Sequence, residues 1–171
     1  TGTLTQNKMT VVKHYNNDQP VDHLALAGFL VNDSRLNNEQ TWVGDPTETA
    51  ISAWSVEQGV NYEQALKDYK RIAEVPFDSG RKRMTTVNMV DGKQIVYVKG
   101  GVDEVLSITT RYGLEAEVRP ITQEDKDIIQ QKNLAMGQEA LRVLAVAYKE
   151  VEGPIEDGDL GLESDLIFLG L

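Results

Sequence analysis

Cysteine is absent from the 171 residues, and histidine occurs only at His14 and His23. The first absence excludes a disulfide framework, a thiolate zinc site and a cysteine nucleophile. The second leaves too few imidazoles for a histidine-based metal site without carboxylate help, so both are expected to be ordinary half-exposed side chains. Long hydrophobic runs are missing too. The longest apolar stretch, 24–31, has eight residues, against roughly 18 for a membrane span. With no starting methionine and no signal peptide in the sequence, the chain as given is expected to be soluble and suited to the cytosol. Positive charge is scarce: 17 Lys and Arg face 27 Asp and Glu, a net charge of −10. That balance argues against nucleic acid or an anionic membrane as partner. Most of the carboxylates are accounted for as a solvated acidic surface. Several catalytic motifs are lacking as well. There is no Gly-x4-Gly-Lys-Ser/Thr, no Gly-x-Gly-x-x-Gly, no Gly-x-Ser-x-Gly and no His-Glu-x-x-His. P-loop NTPases, dinucleotide folds, α/β-hydrolases and zincins are thereby disfavoured.

What is present fits one domain, large enough to bury a core unaided. Residues 9–15 read as a short strand, and 21–31 as a buried helix closing near Asn32-Asp33-Ser34. A polar loop is expected over 35–40. Asp45 suits a helix N-cap, Pro46 the first helical position, and Glu48 falls three after the cap, as a capping box requires. That helix should run to about Gln58 and stop at Gly59. Asn61 with Gln64 repeats the pattern for a shorter helix through Tyr69. The period then changes, and 72–77, 84–90 and 94–98 read as strands, with Asp91-Gly92 as a two-residue hairpin turn. Gly100-Gly101 breaks the chain. A helix is expected over 102–112, and another, capped by Thr122 with Asp125 in third position, over 123–136. Residues 141–149 read as a strand buried on both faces, 152–163 as an exposed acidic connector, and 165–171 as a further strand. The fold class is α/β (α+β-like), with a largely antiparallel sheet flanked by helices.

A nucleotide site in such a chain needs an aromatic face for the base and cations for the phosphates. Four segments could supply them. Pro76-Phe77 leads into the basic turn Arg81-Lys82-Arg83, Lys99 precedes Gly100-Gly101, Arg142 lies near the start of a buried strand, and Glu48 lies in a first helical turn. Each has a plainer reading in isolation. Phe77 after proline is commonly core, Lys99 a solvated strand end, Arg142 a surface or salt-bridged group, and Glu48 a capping residue.

Taken in order, these segments resemble a known family. Thr1-Gly2-Thr3-Leu4-Thr5 is similar to the stretch following the phosphorylated aspartate of P-type cation-transporting ATPases. The blocks Gly44-Asp45-Pro46-Thr47-Glu48-Thr49-Ala50, Phe77 with Arg81-Lys82-Arg83-Met84, and Lys99-Gly100-Gly101 look like that family's nucleotide-binding domain. Leu141-Arg142-Val143-Leu144-Ala145-Val146-Ala147 and Asp165-Leu166-Ile167-Phe168-Leu169-Gly170-Leu171 continue the series. The resemblance therefore covers the whole chain. The blocks look most like type II pumps, with calcium the foremost expected ion and Na⁺/K⁺ or Mg²⁺ behind it. The His-containing signature of heavy-metal pumps is not found.

The resemblance implies that Phe77 stacks on adenine, Lys82 flanks the base, and Lys99, followed by Gly100, lies deeper in the pocket. It also implies that Glu48 hydrogen-bonds the adenine side and that Arg142 reaches the phosphates, supported by packing of Leu144. Stacking on one aromatic contributes about 1–3 kcal/mol; about −5 kcal/mol net binding corresponds to a Kd on the order of 0.1–1 mM. By the same resemblance, 1–8 belong to the phosphorylation domain, 9–164 form the nucleotide-binding domain, and 165–171 start the return strand. The phosphorylated aspartate would precede Thr1, so no catalytic residue and no metal ligand is expected in this chain. The expected ligand is ATP, with Mg²⁺ in the full-length pump. The expected partners are the phosphorylation, actuator and transmembrane domains of a membrane protein whose cytoplasmic face carries this piece. The piece alone is expected to be monomeric and to bind ATP without hydrolysing it. Two departures stand out: Ser79 where related calcium pumps carry arginine, and Gly101-Val102 where the family has Ala-Pro. Two other readings compete: an acidic α/β interaction module docking a protein through its basic turn, and a fragment of a haloacid-dehalogenase-like phosphatase.

Overall fold

A computed structural model describes residues 11, 22–36, 39, 41–78, 80, 82–90, 92–112, 119–139, 143–151 and 166–171. Helix α1 spans Asp22–Leu30, α2 Pro46–Glu57, α3 Tyr62–Asp68, α4 Val102–Leu106 and α5 Gln123–Gln138. The strands are β1 (Arg35–Leu36), β2 (Trp42–Val43), β3 (Arg71–Asp78), β4 (Arg83–Val90), β5 (Lys93–Gly100), β6 (Thr109–Tyr112), β7 (Arg119–Pro120), β8 (Ala145–Val151) and β9 (Leu166–Gly170). Strands β3 to β9 form one seven-stranded sheet in the order β3-β4-β5-β8-β9-β6-β7. Every pairing is antiparallel except β6 with β9. The expected fold class is the one observed.

Local chemistry sets the helix starts. Asp45 accepts from the Thr47 N–H at 2.9 Å ahead of α2, and Asn61 accepts from the Gln64 N–H at 2.9 Å ahead of α3. Thr122 and Asp125 form a reciprocal capping box at α5 (3.1 and 2.9 Å), so two otherwise orphaned N–H groups are satisfied together. The β4–β5 hairpin pairs Val90 with Lys93, and Gly92 ahead of Lys93 takes φ +81°.

The two-residue period of the strands divides the core between the sheet faces. Val87, Val96, Val98, Ala145, Ala147 and Phe168 pack under α4 and α5 with Val105, Leu106 and Ile129. Met84, Tyr97, Val146, Tyr148, Ile167 and Leu169 face Leu24, Ala27, Phe29 and Leu30 of α1 and Ala65 of α3. Helix α1 is apolar nearly all round because it lies between the sheet and α2. Leu24, Ala25, Ala27, Phe29 and Leu30 are each at most 4% exposed.

Three expectations are corrected. The helix expected over 102–112 ends at Leu106. Thr109 donates its hydroxyl to the Val105 carbonyl at 2.7 Å, and Thr109–Tyr112 then becomes β6 beside β9. The β-branched run at 108–110 fits a pleated surface better than a helix. The loop expected over 35–40 begins instead as β1, since Arg35 and Leu36 pair with Val43 and Trp42. The strand expected from Leu141 starts at Ala145. Of the strand expected at 9–15 only Val11 is described, outside any strand; the connector at 152–163 lies outside the described residues, as do the opening block, Ser79, Arg81, Leu141, Arg142 and the side chains of His14 and His23.

Candidate functional site

Paired residues form one transverse row across four strands, Asp78–Arg83–Gly100–Ala145. The residue preceding each member is Phe77, Lys82, Lys99 and Leu144, one from each strand end or turn. Four of the residues singled out in the sequence therefore gather at one end of the sheet. With strands about 4.8 Å apart, the row extends on the order of 15 Å. A register shift between Val75 and Asp78 marks a bulge around Phe77, a device that re-aims side chains at strand ends. Phe77 is 63% exposed. The reading of Phe77 as core is thereby excluded.

Lys99 sits on the sheet face covered by the first three helices and is only 6% exposed. Its Nζ donates to Glu48 Oε2 at 3.0 Å. Glu48 Oε2 also accepts the Asp33 backbone N–H at 2.9 Å. This overturns the capping-box role expected for Glu48. Its carboxylate turns away from the helix start and towards a buried ammonium, because an unpaired charge there would cost more than an unfilled cap. Both contacts use Oε2, and Oε1 takes no hydrogen bond from a described residue. Burial pushes the Lys99 ammonium below its ordinary value of 10.5. Glu48, by charge and by hydrogen bond, and Asp33 and Asp45, by charge, pull the other way.

That shift makes a pH prediction. Between the lowered folded pKa and 10.5 the unfolded chain binds more protons at Lys99, so this group raises stability as pH climbs through the window. In paired denaturant melts of wild type and Lys99→Met, the wild-type advantage should grow from neutral pH towards 10.5. A difference independent of pH would mean that burial does not lower the Lys99 pKa in the folded domain.

The loop over 32–34 is anchored on both sides. Asn32, fully buried, donates Nδ2 to the Glu48 carbonyl at 2.9 Å and accepts from the Ser34 N–H and hydroxyl at 2.8 and 2.6 Å. Ser34 and Ser52 share a hydroxyl contact of 2.7 Å. On the other side Arg71 of β3 donates to the Leu30 and Asn32 carbonyls at 2.9 and 2.8 Å and to Asp33 Oδ1 at 2.6 Å. Neither Arg71 nor the Asp33 N–H could be singled out from one sequence, because each acts through a fold-dependent contact.

Lys82 takes φ +56°, the one left-handed non-glycine among the described residues, and its ammonium lies 3.9 Å from Glu104. Its carbonyl accepts the Gly101 N–H at 3.1 Å. A Cβ on Gly100 would stand 2.3 Å from that carbonyl oxygen, so the basic turn is seated directly on Gly100. Gly101 itself has an ordinary φ of −58° and caps α4. Leu144 is half-buried beside β8. Lys99 and Glu48 are thus in direct contact and Gly100 carries Lys82, while Phe77 and Leu144 share their end of the sheet.

Residues 20–171 match the family model described as the P-type ATPase cytoplasmic domain N. The chain belongs to the P-type ATPase family. A calcium-transporting ATPase of Lactococcus lactis is 41% identical over 182 residues, covering 100% of this chain and 21% of the relative. One from Listeria monocytogenes is 34% identical, with the same coverage. Human calcium-transporting ATPase type 2C member 1 is 31% identical over 204 residues, again covering 100% of this chain and 21% of the relative. The chain thus spans about a fifth of the length of the relatives it matches. In this domain N no described helix is long and apolar enough to cross a membrane. Among the described residues no group of three or more His, Asp or Glu could hold a metal ion.

Proposed function

We propose that this domain N binds ATP for a calcium-transporting pump and presents its γ-phosphate to an aspartate that the family pattern places just before Thr1. The observation that carries this reading is the exposed Phe77 ring on the same end of the sheet as buried Lys99 and its half-buried partner Glu48. A solvent-facing aromatic offers a stacking surface. A carboxylate can only accept hydrogen bonds, and adenine's exocyclic amino group is a donor where guanine presents a carbonyl oxygen. Glu48 Oε1 therefore favours adenine over guanine. Lys82 in the adjoining turn flanks the base, and Arg142 reaches the phosphates with Leu144 packed beside it. Mg²⁺ belongs with the phosphates of ATP. The chain holds ATP without turning it over, since phosphoryl transfer needs the aspartate acceptor. In the parent protein, 1–8 belong to the phosphorylation domain, 9–164 form the ATP-binding unit and 165–171 begin the return path. Actuator and transmembrane domains complete the pump, with this unit on the cytoplasmic side.

Amide NMR titrations with ATP and, separately, GTP test the reading. ATP should shift Glu48, Phe77, Lys82, Lys99 and Arg142 with a Kd on the order of 0.1–1 mM, and GTP should bind more weakly. No shift at these residues at millimolar ATP would refute it.

A further inference from the structure

We propose that Arg71 is a positioning residue for adenine selection, holding the 32–34 loop so that the Asp33 backbone N–H fixes the Glu48 carboxylate. This rests on the reading of Glu48 as the base-facing group. Arg71 opens β3, the strand that carries Phe77 one residue before its end at Asp78. Its guanidinium donates to the carbonyls of Leu30 and Asn32 and to the Asp33 side chain, at 2.9, 2.8 and 2.6 Å. A further contact reaches Glu74 at 3.3 Å.

The planar fork suits this task. Its fixed donors engage the carbonyl of Leu30, the last residue of α1, and that of Asn32 just beyond it, together with a carboxylate, which a single ammonium cannot copy. Held from its side chain, Asp33 leaves its N–H directed at Glu48 Oε2, at 2.9 Å. Asn32 ties the same loop to the first turn of α2 through the Glu48 carbonyl. Glu48 is therefore gripped at its main chain through Asn32 and at its carboxylate through Asp33 and Lys99. One oxygen of the carboxylate is taken up in this way, and Oε1 is left to read the base. Arg71 also couples two parts of the pocket that lie far apart in sequence, the strand that carries Phe77 and the loop that aims Glu48.

The test compares ATP with inosine triphosphate, which lacks the 6-amino group, on wild type, Arg71→Lys, Arg71→Met and Asp33→Ala. Wild type should prefer ATP. Arg71→Met should weaken ATP about three- to tenfold, the effect of one well-placed hydrogen bond. Inosine triphosphate should be affected less, so the preference falls towards one. Arg71→Lys should recover part of it. Asp33→Ala removes a 58%-exposed carboxylate, keeps the N–H and leaves the core intact. It should reproduce the loss, with faster exchange of the residue-33 amide in both Arg71→Met and Asp33→Ala. Equal weakening of both nucleotides, or an unchanged ratio in Asp33→Ala, would overturn the positioning role. A wild type that binds ATP but does not distinguish it from inosine triphosphate would refute base reading by Glu48, and the inference with it. No ATP binding at all would refute the nucleotide reading itself.

Discussion

Gly100→Ala is expected to destabilise the domain by about 1–3 kcal/mol, the usual range for overpacking a close-fitted interior. The added Cβ would meet the Lys82 carbonyl oxygen at 2.3 Å and the Arg83 Cα at 3.0 Å. Both are backbone atoms, so no side-chain rotation relieves the contact. Gly100 also pairs with Arg83 on one side and Ala145 on the other, in the middle of four strands. The relief must come from moving the turn that carries Lys82, so ATP binding should weaken along with stability. Thermal melts should show a drop of a few degrees, at about 2–4 °C per kcal/mol for a chain of this size. Gly101→Ala is the control. There the Cβ meets only the carboxylate end of Glu104, at 2.1 Å, and that group can swing away. Its stability should stay within about 0.5 kcal/mol of wild type. If Gly100→Ala melted like Gly101→Ala, the close seating of the basic turn on β5 would be wrong.

Phe77→Ala should do the opposite, sparing the fold and removing binding. The ring is 63% exposed, so its loss leaves no interior cavity, and stability should change by no more than about 0.5 kcal/mol. Loss of the stacking surface forfeits about 1–3 kcal/mol, or roughly five- to 150-fold in ATP affinity. Phe77→Trp, which keeps a flat π-face, should retain most of the affinity. A Phe77→Ala domain that unfolds would show the ring to be structural, and one that binds ATP normally would remove it from the site.

The elements governed by neighbouring residues were legible in the sequence. Asp45, Asn61 and Thr122 each cap the helix that follows, because a side-chain acceptor two or three residues ahead of an orphan N–H is a local relation. The hairpin at 91–92 is equally local. What failed depends on distant partners. Thr109–Tyr112 becomes a strand because Leu166, Ile167 and Phe168 lie alongside it, more than fifty residues away. Glu48 meets the spacing of a capping box, yet its carboxylate goes to Lys99 across 51 positions. Phe77 could not be sorted between core and surface from the sequence, since the bulge before Asp78 decides it. For the candidate site, the family blocks pointed to Glu48, Phe77, Lys82, Lys99, Gly100, Arg142 and Leu144, of which Arg142 lies outside the described residues. Asp33 and Arg71 act through a main-chain N–H and main-chain carbonyls, which carry no residue signature.

The most direct test of the central claim is a set of intermolecular NOEs between ATP and this domain with Phe77 ring protons assigned. Stacking predicts NOEs from adenine H2 and H8 to the Phe77 ring, with the ribose and phosphates directed away from Glu48. Adenine protons that contact other residues while the Phe77 ring shows none, at ATP concentrations that saturate the domain, would contradict the account.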